Sequence, residues 1–294
     1  MKTPKFFGLH AKPGKKLSLI LMAIPFILVL AVYIAGSEYR HSINPRDKIM
    51  PVISKIYDAT VEYATEPVKI TKNYVKPVTV IDHVRAFPDS KLAVDIVASL
   101  KRLAMGVALS ALVGLFIGVN MALFPGMAAL LNPIITFFSN VPPIALMPIL
   151  LITMGTGEVA KVMLIFIGTV FMITRDVFRA TDEIPKEQIT KALTLGATQL
   201  EIVYKIIIPQ IIPSLLSTVR LSLASAWLYV IAGELVASSE GLGYQIFKVK
   251  RYLAMNVIIP YVFTITGLAF IIDRMIKKFI EIVYPWYVET KGSK

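Results

Sequence analysis

Four carboxylates stand within or beside the hydrophobic segments of this sequence and are candidates for chemistry: Glu158, Asp176, Glu234 and Asp273. Paired carboxylates catalyse proton transfer only when they share one site. These four belong to different segments, at different depths and on different sides of a membrane. The three histidines (His10, His41 and His83) are far apart in the sequence, and the chain has no cysteine. We therefore expect no catalytic residue, no cofactor site and no metal site.

Glu234 is the one acidic residue in the apolar run 214–237, which also contains Arg220. A charged group inside a membrane is a functional candidate by default. Near the end of the run, the Glu234 carboxylate can either line a pathway or simply reach water. Arg220 can reach the headgroups or face the pathway. Ser222 and Ser225 lie on or beside a narrow polar face, which can line the same route or pack against neighbouring helices.

The apolar segment 131–154 is interrupted by Asn140, Pro142, Pro143 and Pro148. Proline removes a backbone donor and breaks the helical hydrogen-bond ladder. Freed carbonyls inside a membrane are tolerated only where they are buried in protein or face water. We therefore predict that Asn140, Pro142 and Pro143 line a translocation pathway. A buried packing kink is the alternative.

The composition indicates a helical membrane protein. Of 294 residues, 56% are hydrophobic and only 17% are charged, whereas a soluble domain carries about 25% charged residues. Several runs approach the length of about 20 residues that a helix needs to cross a bilayer. The formal net charge of +12 fits basic residues at cytoplasmic ends that face anionic lipid. We expect contact with membrane lipid and no binding of nucleic acid.

Six segments are predicted to cross the membrane, at 17–36, 103–124, 131–154, 162–174, 214–237 and 257–272. The basic tail at 1–16 places the N-terminus in the cytoplasm, and six spans return the C-terminus there. The predicted divisions are 1–37 (tail and first span), 38–98 (amphipathic, periplasmic or interfacial), 99–285 (core) and 286–294 (cytoplasmic tail). In the second span, Ser110, Gly114 and Gly118 form a small-residue ridge of the kind that lets helices approach closely.

Residues 185–213 form a polar, helix-prone island between apolar spans. Pro185 suits the start of a helix, and Gly196 suits its end because glycine tolerates left-handed geometry. Thr198 and Glu201 then match a capping box, which begins a second helix. We expect that helix to stop at Pro209. The island is thus predicted to be a helix, a glycine turn and a second helix.

The spacing within this island resembles the EAA loop of ABC importer permeases, which is the cytoplasmic coupling helix that docks on an ATPase subunit. The positions concerned are Thr190, Lys191, Ala192, Gly196, Ile206 and Pro209. Thr190 and Lys191 depart from the usual Glu and Ala, which bears on the polar contact to the ATPase. The other four positions fit the pattern.

Further segments are similar to the nitrate/sulfonate/taurine-type branch of these permeases, and the resemblance covers roughly residues 95–285. They are Ser99 with Arg102, Pro133 through Pro148, Gly155 through Lys161 with Glu158 between them, Leu221 through Trp227 with Glu234, and Gly241 through Tyr244.

The resemblance implies an all-α membrane protein with a type I ABC importer permease (MetI-like) fold of six transmembrane helices and a cytoplasmic coupling loop at 185–213. It implies a bacterial inner-membrane permease that acts as a homodimer or with a sister permease. Two cytoplasmic ABC ATPase subunits would bind ATP and Mg²⁺, and a periplasmic binding protein would deliver the substrate. This chain has no phosphate-binding GxxxxGK[ST] motif and would not itself be an enzyme.

The substrate implied by the resemblance is a small oxyanion or sulfonate of the nitrate, bicarbonate, taurine or alkanesulfonate class. An alternative from the residues is an ion-coupled secondary carrier or channel that works without an ATPase partner. Such carriers often use charged groups in mid-membrane, whereas the polar residues within these spans are mostly Ser, Thr and Asn.

Overall fold

The structure is a computed structural model that describes residues 14–45, 47–67 and 87–292. Most of the basic tail, and residues 68–86 of the amphipathic segment, lie outside the described residues. The described residues form helices and one isolated bridge between Pro67 and Ser90. The prediction of an all-α protein is therefore confirmed.

The α-helices, in chain order, are α1 (Lys15–Ile43), α2 (Ile53–Thr65), α3 (Lys91–Leu123), α4 (Pro125–Ser139), α5 (Met147–Met154), α6 (Glu158–Asp182), α7 (Lys186–Thr194), α8 (Gln199–Ile202), α9 (Ile208–Ala237), α10 (Leu242–Lys250), α11 (Met255–Val283) and α12 (Pro285–Gly292). Two 3₁₀ turns cover Phe87–Asp89 and Pro143–Leu146, and a π-helical turn covers Val203–Ile207.

The described residues contain four helices that are long and apolar enough to cross a membrane, at Lys16–Ile43, Lys91–Leu123, Gln199–Val236 and Met255–Val283. A bent pair, Pro125–Ser139 with Pro143–Met154, makes at most a fifth. The predicted count of six is therefore not reproduced. The missing span lies in α6, where only about 13 residues between Lys161 and Arg175 are uncharged, short of the roughly 20 needed.

The chain divides into two compact units, and the first comprises Met1–Glu62 and Val249–Pro260. In this unit, the hydroxyl of Tyr33 on α1 donates a hydrogen bond to the carbonyl of Pro51 at 2.8 Å. An ion pair joins Arg40 and Asp47 at 2.6 Å. Helix α2 (Ile53–Thr65) lies within the segment 38–98 that the sequence predicts to be amphipathic.

The second unit, Tyr63–Lys248 and Tyr261–Lys294, is built around α3, α6 and α9. The predicted small-residue ridge faces α6 and continues to Gly106. Four pairs, each 59 positions apart, line the contact: Gly106 with Ile165, Ser110 with Thr169, Gly114 with Ile173, and Gly118 with Val177. This constant offset means that α3 and α6 run parallel in one register, with the hydroxyls of Ser110 and Thr169 2.7 Å apart.

Helix α9 runs antiparallel to α3 and α6. Its first turn packs at their C-terminal ends, where a hydrophobic core contains Val119, Ile173, Val177, Ile184, Ile202, Ile207 and Ile211. Its last turns reach their N-terminal ends, where Glu234 contacts Ser99 and Arg102. The three helices therefore form one bundle with two distinct ends.

One helix boundary differs from the prediction. The second helix of the island does not stop at Pro209, because the π-helical turn connects α8 to α9. There the Ile208 N–H bonds to the carbonyl of Val203, five residues back, and Pro209 then lies in the first turn of α9, where a missing N–H costs little. At the other end of α9, residues 238–241 form the connection to α10, which begins at Leu242.

Candidate functional site

Helices α7 and α8 form the predicted helical hairpin, which we call the coupling hairpin (residues 186–202). Helix α7 ends at Thr194 and is followed by a turn at Gly196, whose φ of +85° lies in the left-handed region that glycine permits. The Ala197 N–H bonds back to the Ala192 carbonyl at 3.0 Å. The predicted capping box is present, with the Glu201 N–H donating to the Thr198 hydroxyl at 3.3 Å and the Thr198 N–H to the Glu201 carboxylate at 3.0 Å.

The coupling hairpin has one face packed on the bundle and one face exposed. Ile189 and Ala192 pack against the hydrophobic core at the hairpin end of the bundle, as does Ile206 in the π-helical turn. Thr190, Lys191 and Gly196 are exposed, as is Pro209 at the start of α9. The most exposed large apolar side chain in the described residues is Leu195, at 88%. The coupling hairpin is therefore packed against the bundle on one face, and the turn around Leu195 and Gly196 is exposed.

Beside the coupling hairpin lies an open apolar groove of about 560 Å³. Its walls are the C-terminal half of α3, the inner face of α7 and the segment around the π-helical turn. The lining side chains include Leu112, Phe116, Val119, Ile189, Leu193 and Tyr204. The groove separates the tip of the hairpin from the second half of α3.

The break predicted in the third apolar segment is present, and α4 and the Pro143–Met154 helices meet at 87°. Asn140 caps α4, with its side-chain amide donating to the Thr136 carbonyl at 2.7 Å. Asn140 and Pro142 are exposed and Pro143 is half-buried. Their assignment to a translocation pathway stays a prediction.

Arg220 connects α9 to α11, because its Nε donates a hydrogen bond to Asp273 Oδ1 at 2.7 Å. Both side chains are partly exposed. Ser222 is fully buried and donates to the Val219 carbonyl at 2.8 Å. Ser225 is half-buried and donates to the Ser222 carbonyl at 2.9 Å. Within this chain the polar face of α9 thus packs against neighbours at Ser222. A pathway role for these residues stays a prediction.

Glu234 does not reach water, and that interpretation of the sequence is wrong for this chain. Its side chain is 0% exposed. Oε1 accepts hydrogen bonds from the Ser99 hydroxyl and from Arg102 Nη1, both at 2.7 Å. Oε2 accepts from the Gly243 N–H at 2.8 Å. A buried carboxylate needs such partners because desolvation otherwise makes the charge very costly.

Arg102 is the centre of this network, with its side chain only 2% exposed. Besides Glu234, it donates to both carboxylate oxygens of Glu158, from Nε at 2.6 Å and from Nη2 at 2.9 Å. Such a two-point contact is among the strongest hydrogen-bonded ion pairs. Lys161 also contacts Glu158, at 2.8 Å. The two cations lower the pKa of Glu158, which stands ahead of the apolar stretch of α6, to about 2.

The backbone at the start of α10 and just before it donates hydrogen bonds to side chains of α3. The Gly241 N–H donates to Asp95 Oδ1 at 2.7 Å, and the Leu242 N–H donates to the Ser99 hydroxyl at 2.9 Å. Gly241 has a φ of +124°, and a Cβ there would collide with the Glu234 carboxylate. The other oxygen of Asp95 accepts from the Tyr261 hydroxyl at 2.9 Å. Glycine is required at 241 both for its conformation and for this close approach.

We call this group the Arg102 cluster: Asp95, Ser99, Arg102, Glu158, Lys161 and Glu234. The expectation that Glu158 and Glu234 lie at different depths and on different sides is wrong, because both carboxylates contact Arg102. The sequence did not predict that the residues of this cluster meet, although most of them belong to the segments that carry the family resemblance. The signal was the presence of an ionisable residue near one end of three separate apolar helices. No sequence pattern pointed to Asp95 or Tyr261. Among the residues that the structure describes, no group of three or more acidic or histidine side chains is arranged to hold a metal ion.

Comparisons with known proteins agree with this architecture. The family model described as "Binding-protein-dependent transport system inner membrane component" matches residues 96–280. The taurine transport system permease protein TauC of Escherichia coli is 28% identical over 207 residues, which cover 70% of this chain and 75% of that protein. The bicarbonate transport system permease protein CmpB of Synechocystis sp. is 30% identical over 198 residues, covering 67% and 71%.

Solved structures show the same fold. A chain of the MetNI methionine ABC transporter, in an inward-facing conformation, superposes with a TM-score of 0.58 at 24% identity. The match covers 65% of this chain and 95% of that chain. The residues that the family model matches contain the coupling hairpin and, except for Asp95, the Arg102 cluster.

Proposed function

Because the chain belongs to the family of binding-protein-dependent transport system inner membrane components, it is an ABC importer permease subunit, and we propose that it imports a small oxyanion or sulfonate with energy from a separate ATPase. The relatives named for taurine and bicarbonate support this substrate class, since one solute carries a sulfonate and the other is an oxyanion. Nitrate and alkanesulfonates belong to the same class.

The coupling hairpin is the proposed docking site for the ATPase, and the exposure of Leu195 is the observation that carries this assignment. A leucine at 88% exposure leaves apolar surface in water that a partner can bury, which is worth about 1.5–3 kcal/mol. The anchored inner face lets a push or pull on the tip reach the bundle. Two such ATPase subunits would hold ATP and Mg²⁺.

The remaining partners follow from the same function. A second copy of this chain or a sister permease completes the pathway, and a periplasmic binding protein delivers the solute. We place the N- and C-termini in the cytoplasm with the coupling hairpin. The exposed or half-exposed candidates Asn140, Pro142, Pro143, Arg220 and Ser225 are proposed to line the pathway, whereas the buried Ser222 and Glu234 support it from within the bundle.

Copurification tests the docking site. The chain is solubilised from its native membrane and the bound proteins are identified. We expect an ATPase subunit with the wild-type protein and at least tenfold less of it with Leu195→Ser. Leu253→Ser is the matched control, because Leu253 is also exposed but lies outside the coupling hairpin. Equal recovery of the ATPase with both variants would contradict the assignment.

Uptake by proteoliposomes tests the energy source and the substrate class. We expect ATP-dependent accumulation of taurine or bicarbonate by the chain with its ATPase and binding protein. Gly196→Val should uncouple ATP hydrolysis from uptake while the protein remains inserted, because valine is strained at a φ of +85°. Uptake that persists without ATP and follows an ion gradient would support the carrier alternative instead.

A further inference from the structure

We propose that Arg102 is a positioning residue that makes the connection 238–241 and helix α10 move as one body with α3, α6 and α9. The inference rests on the proposed transport function, in which a displacement at the coupling hairpin must reach the opposite end of the bundle. Arg102 lies on α3 at that opposite end and contacts α6, α9 and the connection between α9 and α10. It donates to Glu158 on α6, to Glu234 on α9 and to the Glu240 carbonyl in the connection.

The bundle itself is tightly packed along its length. A Cβ added at Gly114 would lie 2.8 Å from Ile173 Cγ2, and one added at Gly118 would lie 2.8 Å from the Thr174 carbonyl. Because interiors packed so closely do not deform gradually, α3 and α6 carry a displacement from one end to the other. Helix α9 joins them through the hydrophobic core at the hairpin end.

Helix α10 is attached to this bundle through its first backbone N–H groups. The donors at 241, 242 and 243 have no partner within the helix and bond instead to Asp95, Ser99 and Glu234. A helix begins with such free donors, and carboxylates satisfy them well. The position of α10 therefore depends on where these side chains are held.

Arg102 holds the Glu234 carboxylate in place through an ion pair. Glu234 is 0% exposed, and Arg102 is the cation that contacts it. Without that cation the buried carboxylate would have no compensating charge, so the surrounding groups would rearrange or water would enter. In either case its oxygen would no longer accept the Gly243 N–H as strongly, and the direct bond from Arg102 to the Glu240 carbonyl at 2.9 Å would also be lost. The connection would then move independently of the bundle.

Spin labels measure this coupling directly. The chain has no cysteine, so labels attach only to introduced ones, at Lys101 on α3 and Lys248 on α10, which are both exposed. The doubly labelled chain is purified with its ATPase and placed in lipid nanodiscs, and the distance distribution is recorded by pulsed electron paramagnetic resonance. Uptake of taurine is measured on the same variants, reconstituted in proteoliposomes with the ATPase and the binding protein.

We expect a narrow distribution in the otherwise wild-type chain and one at least twice as wide with Arg102→Gln. ATP-driven uptake should fall at least tenfold, while the ATPase still copurifies. Arg175→Gln, at an exposed position on α6, is the matched control and should leave both readouts unchanged. Arg102→Lys keeps the buried charge, so it protects against misfolding, but lysine has no planar fork that bridges both carboxylates. Arg102→Lys should therefore also widen the distribution of distances between the two spin labels.

An unchanged width with Arg102→Lys, or a wide distribution accompanied by normal uptake, overturns the proposal. Failure of the transport function itself has a different signature. In that case the wild-type chain shows no ATP-driven uptake, and the widths alone decide whether Arg102 positions α10.

Discussion

The Arg102 cluster and the coupling hairpin lie at opposite ends of the same three helices and are built in opposite ways. At the cluster, the side chains of Arg102 and Glu234 are buried and hydrogen-bonded to several partners each. At the hairpin, Leu195 and Lys191 are exposed. The ion pair between Glu201 and Lys205 beside them lies on the surface. One end is completed by the chain itself, and the other presents surface that a second protein can cover.

This difference has a physical reason. Burying a charge costs several kcal/mol unless a partner and further hydrogen bonds compensate for it, so a buried network tolerates few arrangements. An exposed ion pair contributes little and adapts easily. The cluster is therefore suited to fixing the relative positions of helices, whereas the hairpin is suited to making and adjusting contacts with a partner.

The largest expected effect is the loss of Arg102. Arg102→Gln leaves Glu234 buried without a cation, and breaking such a pair costs about 3–5 kcal/mol of unfolding free energy. Thermal unfolding in detergent, followed by the monodisperse fraction after heating, measures the loss. Lys101→Gln on the same helix is exposed and should change stability by no more than about 0.5 kcal/mol. A loss below about 1 kcal/mol for Arg102→Gln would show that the network is not strongly coupled.

Two glycines with positive φ sharpen the comparison between the ends. Gly196 has open space around its Cβ position, so Gly196→Ala should cost only backbone strain, about 1–2 kcal/mol. At Gly241 a Cβ also collides with the Glu234 carboxylate, which adds about 1–3 kcal/mol of overpacking. The same thermal assay should therefore rank Gly241→Ala as clearly more damaging. Equal losses would mean that the cluster yields as easily as the hairpin.

The glycine ridge that connects the two ends should show an intermediate effect. Gly114→Ala forces a Cβ against Ile173 and the Thr174 backbone, and we expect a loss of about 1–3 kcal/mol. Gly267 on α11 has nothing within 4 Å of the added Cβ, so Gly267→Ala should be neutral or stabilise by about 0.5–1 kcal/mol. Measurement of both variants in one detergent controls for the assay. A harmless Gly114→Ala would exclude tight contact between α3 and α6.

The smallest effect is expected at the cap of the hairpin. Thr198→Ala removes the acceptor for the Glu201 N–H, and the loss of such a cap costs about 1 kcal/mol. Because α8 is short and near the surface, the loss should stay local. Hydrogen exchange should quicken at residues 199–202 and remain unchanged at residues 95–102. Faster exchange at both ends would show that the two regions are energetically coupled.

Local features of both regions could be predicted from the sequence. Pro185, Gly196 and the Thr198–Glu201 pair indicated the coupling hairpin, because caps and turns depend on residues only a few positions apart. The ridge at Ser110, Gly114 and Gly118 was confirmed for the same reason, since a spacing of four places side chains on one face of a helix. The stop at Pro209 was wrong because a π-helical turn shifts the hydrogen-bond register just before the proline.

By itself, the sequence determined a helical membrane protein with a helix, a glycine turn and a second helix at 186–202, since composition, periodicity and short-range motifs all act within single segments. Its interpretation as an ABC importer permease came from the resemblance to that family. Only the tertiary structure decided that Asp95, Arg102, Glu158 and Glu234 meet, that Tyr261 joins them, and that Glu234 is sealed from water. The offset of 59 positions between α3 and α6 brings Arg102 beside the N-terminus of α6. That offset arises from how two helices pack against each other, which no property of either helix alone specifies.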